Sequence, residues 1–476
     1  MVIPLRKLCR RAAGAPLLAA LSLLGACSVG PRYHRPQVPL PASWSTQSAA
    51  QTTQWPAEQW WRAFGSSTLD QYIEQALAGS DDIAAAIARV READAQARIA
   101  GAALLPSVGL SAGASRQKSL SPVTGVAGVP INAFSAVLDA SYQLDFWGRN
   151  RAARQAAVQA ALASRYDRQT VVLSTLSSVA TDYFQALEMR DRLQVAQMNL
   201  AHAQQLLAGL QLEQQVGTTT ALDVAQQAAV VAVENATIPP LQQQLAQSMD
   251  ALAILLGREP ETLVFQDASL AQITAPPVAA GLPSELLARR PDVAAAEALL
   301  HAANANIVEA RAAFFPSVSL TASGGFVSPV LSTLITPSHR VFSLSGSIAQ
   351  AIFEGGALRG QYQFTQARYS ELLADYHKSV ISAFSDVENA LTAVQQTAEQ
   401  ERRQQVAADA AQHAYAYAQQ QMAAGVTNIL TVLNTETTLF TAQDALVQVK
   451  FQHLSALVHL YEALGGGWQL GQQTSL

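Results

Sequence analysis

The sequence is short of nearly everything from which catalytic and metal sites are built. Its 476 residues include two cysteines, Cys9 and Cys27, too few for a disulfide framework or a cysteine metal cluster. Charged residues make up 14% of the chain and the formal net charge is −5. That balance argues against a nucleic-acid binder, which carries a basic face. No stretch beyond residue 27 holds a long unbroken run of apolar residues, so no membrane-spanning helix is expected there. A β-barrel stays open, because a spanning strand needs only about 9 to 11 residues. There is no Walker loop, no dinucleotide-binding glycine fingerprint and no G-x-S-x-G elbow. "FEGGALRG" (353–360) lacks the Lys-Ser/Thr ending of a phosphate loop and reads as a joint between strand and helix. The eight histidines are scattered. His453 and His459 are six apart, not the four that place two ligands on one helix face, and read as exposed helix residues. Trp44, Trp55, Trp60 and Trp61 read as packing of an N-terminal segment. The chain is therefore not read as an enzyme, and neither a cofactor nor a metal is expected.

Both cysteines lie near the N-terminus. Arg6, Lys7, Arg10 and Arg11 precede the apolar run Ala12 to Leu24, the order of a secretory signal. The run is broken by Pro16 and is too short to span a bilayer. Leu24-Gly25-Ala26-Cys27 resembles the lipobox of bacterial lipoproteins, in which the chain is cut before the cysteine and the cysteine is acylated. The alternative is an ordinary signal with a chance cysteine. On the lipobox reading Cys9 is discarded, Cys27 anchors the chain to lipid, and the loss of four basic residues moves the formal charge from −5 to −9.

What is present is a duplication. "DIAAAIARVREADAQARIAGAALLPSVGLSA" from Asp82 aligns with "DVAAAEALLHAANANIVEARAAFFPSVSLTA" from Asp292, an offset of 210. Phe146 and Gly148 then match Phe353 and Gly355 at an offset of 207, and Gly217, Leu222 and Val224 match Gly425, Leu430 and Val432 at 208. Leu256-Gly257 matches Leu464-Gly465. Repeats of this length point to one architecture used twice. The expected divisions are a signal peptide at 1–26, an anchored segment at 27–67, a first repeat at 68–274, a Pro-rich connector at 275–283, a second repeat at 284–465 and a tail at 466–476.

Each repeat reads helix, strand, strand, long helix, return helix. Residues 68–104 and 284–313 are Ala-rich and helical in period, and each ends just before a proline. Strands are expected at 107–115, 134–146, 317–327 and 341–353. Along them one face is apolar: Val108, Leu110, Ala112, Phe134, Ala136, Leu138, Val318, Leu320, Phe342 and Leu344. The opposite face is small and polar, with Ser111, Asp139, Gln143, Ser319, Thr321, Ser343 and Ser345 as candidates for the lining of a lumen. This alternation is the pattern of a transmembrane barrel, although a strand resting on a protein core shows it too. Beside a secretory signal and a lipobox, four such strands favour the barrel. Four strands cannot close one, since the smallest have about eight, and open edges are not tolerated in lipid. The barrel is expected to be shared between chains.

Between these strands and the return helices, Arg149–Ala208 and Gln361–Ala424 contain no Gly or Pro. Helices of that length would extend roughly 90 to 100 Å, against about 11 to 12 residues for an average helix, and are expected to pack in coiled-coil fashion. Each turns back at a glycine, Gly217 or Gly425. The first return helix is expected to break at Pro239-Pro240; the second runs unbroken from Thr427 to Leu464.

These residues together resemble the outer-membrane efflux lipoproteins of the TolC/OprM type, including the NodT-like branch. The likeness is carried by "CSVGPRYHRP", "WWRAFGSSTLDQYIEQAL" (60–77), "LPSELLARRPDVAAAEALLHAANANIVEARAAFFPSVSL" (282–320), "FEGGALRG" and "AGVTNILTVLNTETTLFTAQ" (424–443). It implies a mainly α, internally duplicated TolC-like fold. Four strands per chain would join in a trimeric twelve-stranded barrel above a long α-helical coiled-coil barrel. It also implies a homotrimer in the outer membrane of a Gram-negative bacterium, extending into the periplasm and working with a periplasmic adaptor and an inner-membrane transporter, commonly of the resistance-nodulation-division (RND) class. Ser28, rather than Asp, after Cys27 is compatible with sorting to the outer membrane. No nucleic-acid partner is implied.

In such channels the turn after the second glycine carries a leucine and, four residues on, an aspartate that ring the periplasmic gate. Leu430 matches the leucine. Asn434 occupies the aspartate position, and Thr427 stands where an acid is often found two residues after Gly425. An acidic ring is therefore missing there. Asp223 on the first turn could supply charge instead, or could only cap its helix. Three functional readings stay open: a duct for drugs or other small organic compounds, the same duct serving metal-ion efflux or type I protein secretion, and a non-conducting coiled-coil strut.

Overall fold

The computed structural model describes residues 29–39, 44, 55–118, 128–263, 269–278 and 283–469. The expected signal peptide, both cysteines and Ser28 lie outside these residues, as do parts of the first hairpin loop, the connector and the tail. The chain is mainly α. In order it forms α1 (Ser67–Gly79), α2 (Asp81–Ala102), β1 (Ser107–Gln117), β2 (Ile131–Leu144), α3 (Arg149–Gln215) and α4 (Ala221–Leu255). After a short α5 (Pro283–Leu286) come α6 (Pro291–Ala312), β3 (Ser317–Ser328), β4 (Arg340–Ala349), α7 (Ala357–Ala423) and α8 (Ile429–Ala463). Among the described residues no helix is long and apolar enough to cross a membrane.

The duplication is carried into the lengths of the elements. α2 and α6 have 22 residues each, α3 and α7 have 67, and α4 and α8 have 35. At 1.5 Å per residue, α3 and α7 each extend about 100 Å. Gly148 directly precedes α3 and Gly356 directly precedes α7, so Gly148 corresponds to Gly356 and not to Gly355. The second half has one extra glycine in this turn, and Gly355 and Gly356 both take positive φ, 60° and 92°.

Two compact units can be separated. One comprises Met1–Pro36, Val90–Ser164 and Ala296–Tyr376; the other comprises Gln37–Arg89, Arg165–Ala295 and His377–Leu476. The first holds the sheet, which has the order β1-β2-β3-β4 with every neighbour antiparallel. The second is helical, and its largest core gathers Phe64, Leu69, Ile73, Phe184, Leu187, Leu252 and Val458. Burying each such side chain is worth about 1.5–3 kcal/mol. α1 enters this core because Ser66 caps it, accepting from the Leu69 amide, and because Leu69, Tyr72, Ile73 and Ala76 fall on one helical face. Trp60 and Trp61 are buried there, with Trp60 stacked 5.1 Å from Tyr461. Trp44 meets Phe384, and Trp55 lies under the Arg289 guanidinium.

Several boundaries differ from the sequence expectation. The helix expected over 68–104 is interrupted at Ser80, which is extended. The cause is tertiary: the end of α4 comes so close to Gly79 that a Cβ there would sit 2.8 Å from the Leu256 carbonyl. The helix expected over 284–313 breaks before Pro291, which starts α6 and needs no amide donor at that first position. β4 ends at Ala349, short of residue 353. Finally, α4 does not break at Pro239-Pro240 but runs through both prolines. Only the carbonyls of Asn235 and Ala236 lose their amide partners, and both residues are exposed to water. Packing of Ile238, Leu241 and Leu245 on Met189, Leu193 and Ala196 of α3 holds the helix through this point.

Candidate functional site

The sheet register sorts the strand residues into two chemically distinct faces. Leu110 pairs with Leu138, Ala112 with Ala136, Tyr142 with Leu320, Ala322 with Leu344 and Val318 with Ile348, which makes one apolar face across all four strands. That face is bare. Leu110 is 76% exposed, Phe342 89% and Leu344 80%. Leu110 on β1 and Phe342 and Leu344 on β4 carry this exposure to both edges of the sheet, and a solvated surface rarely leaves so wide an apolar face open.

The other face is a lattice of hydroxyls. Ser107 and Ser141 Oγ atoms are 2.8 Å apart, Ser319 and Ser347 2.7 Å, Thr321 and Ser345 2.6 Å, and Ser323 and Ser343 2.9 Å. Ser111 Oγ donates to Asp139 Oδ2 at 2.9 Å. All seven lumen candidates, Ser111, Asp139, Gln143, Ser319, Thr321, Ser343 and Ser345, fall on this face. Where β2 and α6 end, Trp147 stacks 4.8 Å from Phe315 and its indole donates to the Pro316 carbonyl. Aromatic rings of this kind border the apolar band of membrane barrels.

The helix turns are built alike in both halves. Gly217 (φ 80°) follows α3 and Gly425 (φ 72°) follows α7, a left-handed conformation that a residue with a Cβ adopts only under strain. At each turn two amides reach back to close the helix end: Gly217 to Gln214 and Thr218 to Glu213, then Gly425 to Met422 and Val426 to Gln421. The return helices start on side-chain caps. Thr220 accepts from the Asp223 amide, and the Asp223 carboxylate accepts from the Thr220 amide and from the hydroxyls of Thr219 and Thr220. Those bonds, from Thr220 first, hold the Asp223 carboxyl below its usual range. Asp223 thus caps α4 as a carboxylate. Asn428 caps α8 through the Thr431 amide. Leu430 is half exposed and Asn434 exposed, four residues apart on one helical face. Asn434 lines an open groove with Gln404, Thr437 and Thr441. Thr427 lies in the turn ahead of the Asn428 cap and is partly buried.

Behind that surface lies a buried polar cluster for which the sequence gives no motif. Gln227 of α4 donates to the Ala203 carbonyl of α3 and to Glu436 of α8, while Tyr415 of α7 donates to the other Glu436 oxygen. Gln227 and Glu436 are both fully buried. Burial pushes the Glu436 carboxyl up, opposed by the bonds from Gln227 and Tyr415, with nearby Glu234 adding to the rise. Further along, Arg192 of α3 grips Asp444 of α8 at 2.7 and 3.2 Å. Burial raises the neighbouring Glu188 carboxyl to about 7 despite the Arg192 charge.

The N-terminal segment is held against α6 in antiparallel order. Gly30 abuts Val308, the Pro31 carbonyl accepts from Asn304, Tyr33 stacks 4.4 Å from His301, and Arg35 pairs with Glu297 at 2.9 Å. Of the two histidines read as exposed, His459 is exposed and His453 is not. His301 lies beneath Tyr33, and His453 is largely covered and sits 2.7 Å from Glu401. Among the described residues no group of three or more His, Cys, Asp or Glu is placed to hold a metal.

A sheet with one bare apolar face and one hydroxyl face, built into a duplicated pair of long helical hairpins, defines an outer-membrane channel protein of the TolC-like fold. The outer membrane efflux protein family matches the chain twice, over residues 72–258 and 282–466, and the chain belongs to that family. It is 40% identical over 464 residues to the pyoverdine export outer membrane protein OpmQ of Pseudomonas aeruginosa, covering 96% of this chain and 97% of that one. It is 34% identical over 469 residues to the toluene efflux pump outer membrane protein TtgC of Pseudomonas putida, covering 95% and 96%. The solved outer-membrane channel OprN superposes with a TM-score of 0.87 at 29% identity, covering 93% of this chain and all of that one. These relatives are transport components, not enzymes.

The buried Glu436 makes a prediction. A carboxyl raised by burial favours the folded state while protonated. Its contribution is complete below the ordinary value near 4.5 and is lost as pH rises through the raised value. Glu436→Gln keeps the bonding shape without the charge. Its unfolding midpoint is expected above that of the wild type at about pH 8, with the gap closing toward about pH 4. Thermal unfolding of both proteins at the two pH values checks this, and an equal gap at both refutes it.

Proposed function

We propose that three copies of this chain close a twelve-stranded barrel in the outer membrane and conduct small organic compounds outward as the exit duct of a tripartite pump. The observation that carries this reading is the two-faced sheet with open edges at β1 and β4. Its apolar face suits lipid and its hydroxyl face suits water, and unpaired edges in lipid call for neighbouring strands. A strut has no use for such a sheet. Conduction is passive: no bond is made or broken, and the energy comes from the inner-membrane partner. That partner is proposed to be an RND-type transporter joined through a periplasmic adaptor. The names of the relatives, for pyoverdine export and toluene efflux, favour organic cargo over metal ions or secreted protein.

Deleting the gene is expected to sensitise cells to organic solvents, dyes or antibiotics, with resistance restored by the wild-type gene. Sensitivity confined to metal salts would overturn the choice of cargo.

Two finer assignments accompany this reading. Cys27 is proposed to carry the lipid anchor, followed by the segment packed along α6. Cys27→Ser is expected to abolish incorporation of labelled palmitate into the protein, and retained label would exclude acylation there. Leu430 and Asn434 are proposed to face the periplasmic gate, with Thr427 beside them. Asp223 is assigned to its helix cap rather than to the gate. Asn434→Asp is expected to increase cation preference and to make conductance in planar bilayers fall with acidification, as protonation removes the new charge. Unchanged preference and pH response would remove Asn434 from the pore.

A further inference from the structure

The hydroxyl face of the sheet is neutral with one exception. Reading across the register, the rows are Ser107, Ser141, Thr321 and Ser345; then Gly109, Asp139, Ser323 and Ser343; then Ser111, Val137, Gly325 and Val341. Gln143, Ser319 and Ser347 lie on one side of these rows and Gly113, Ser135 and Val327 on the other. Asp139 is the single charged side chain on this face among the described residues of the strands. Arg116 and Arg340 have the opposite parity, in register with Asn132 and Phe326.

The surroundings of Asp139 leave its charge available. It is exposed. Its carboxylate accepts from a neutral donor, Ser111, and among the described residues of the strands no cation shares the face. Gly109, directly opposite on β1, leaves open space where a side chain would have screened it. The carboxylate sits near the middle of β2, away from both strand ends.

Resting on the barrel reading above, we propose that Asp139 is a selectivity-determining residue of the outer-membrane passage. It supplies one fixed negative charge per chain to an otherwise neutral hydroxyl wall and biases the passage toward cations. Three chains place three such charges at one height. With strands about 4.8 Å apart and tilted about 40°, corresponding strands of neighbouring chains lie about 25 Å apart around the wall. That separation exceeds the screening length of about 8 Å at physiological salt but not that of about 30 Å at 0.01 M. The three fields therefore merge at low salt and act separately at high salt. The bias is a property of ionic strength as well as of sequence.

Reversal potentials of the reconstituted wild-type protein and of Asp139→Asn, measured in KCl gradients, test this. Asparagine can still accept from Ser111, so the substitution removes the charge and keeps the bond. The potassium-to-chloride permeability ratio is expected to fall by about twofold or more in Asp139→Asn at low salt, and the difference is expected to vanish near 1 M. Asp139→Glu is expected to keep the wild-type ratio and Asp139→Lys to shift it toward anions, and both guard against misfolding of any one variant. A ratio that is the same in wild type, Asp139→Asn and Asp139→Lys, with normal conductance, overturns the assignment while leaving the channel reading intact. A wild-type protein that inserts and passes no current overturns the channel reading and this inference with it.

Discussion

The unpaired strand edges at β1 and β4 constrain everything else in the molecule. Every backbone amide and carbonyl in a hydrocarbon layer needs a partner, and a four-stranded sheet leaves two edges without one. Its bare apolar face adds a second demand, since Leu110, Phe342 and Leu344 gain little from facing water. Both demands are met when strands of further copies complete a closed wall. The hydroxyl face then gains a consistent role. Ser319 with Ser347, Thr321 with Ser345 and Ser323 with Ser343 satisfy one another in pairs and still leave lone pairs for water.

The helices solve a different problem. α3 and α7 are too long to be stabilised by a single compact core, so their burial is spread along their length in small side chains. Ala203, Ala408, Ala411 and Ala418 are buried, and small residues let helices approach closely over many turns. Small contacts give little directional preference, and the buried bonds of Gln227, Tyr415 and Glu436 supply it by linking four helices at one level. Such a cluster costs desolvation, which the upward displacement of the Glu436 carboxyl registers. Arg192 and Asp444 form a second cross-link between α3 and α8.

What could be read from the sequence was whatever local chemistry determines. Alternation fixed the two strand faces, because a residue's side of a sheet depends only on its parity. The turns at Gly217 and Gly425 were visible because positive φ selects glycine. That α3 and α7 are long followed from the lack of Gly and Pro over 149–208 and 361–424, although α3 runs on through Gly209 and α7 starts before Gly360. Boundaries set by distant packing were not visible. Nothing near Ser80 announces that the end of α4 arrives beside Gly79, and Pro239-Pro240 is a strong breaker whose cost is offset by the contacts of Ile238, Leu241 and Leu245. Glu436 was missed for the same reason, since an isolated glutamate in a helix ordinarily reads as a solvated one. Asp223 was ambiguous in the sequence because Thr-x-x-Asp suits both a cap and a charged turn, and the bonds to Thr219 and Thr220 show the cap.

A duct that forms no bonds with its cargo can discriminate only through width and fixed charge. At the helix turns, Asn434 and Thr427 are neutral, while Asp223 caps α4 and keeps its charge. On the sheet the wall is neutral hydroxyl apart from Asp139. The sheet wall therefore carries little fixed charge. Neutral organic cargo gains from this arrangement, because a ring of carboxylates orders water and counterions in the path of a bulky apolar solute. A neutral wall lets such a solute pass without displacing them. Discrimination among solutes then falls to the partner that loads the duct, which fits a family whose relatives at 34–40% identity carry names for cargo as different as pyoverdine and toluene.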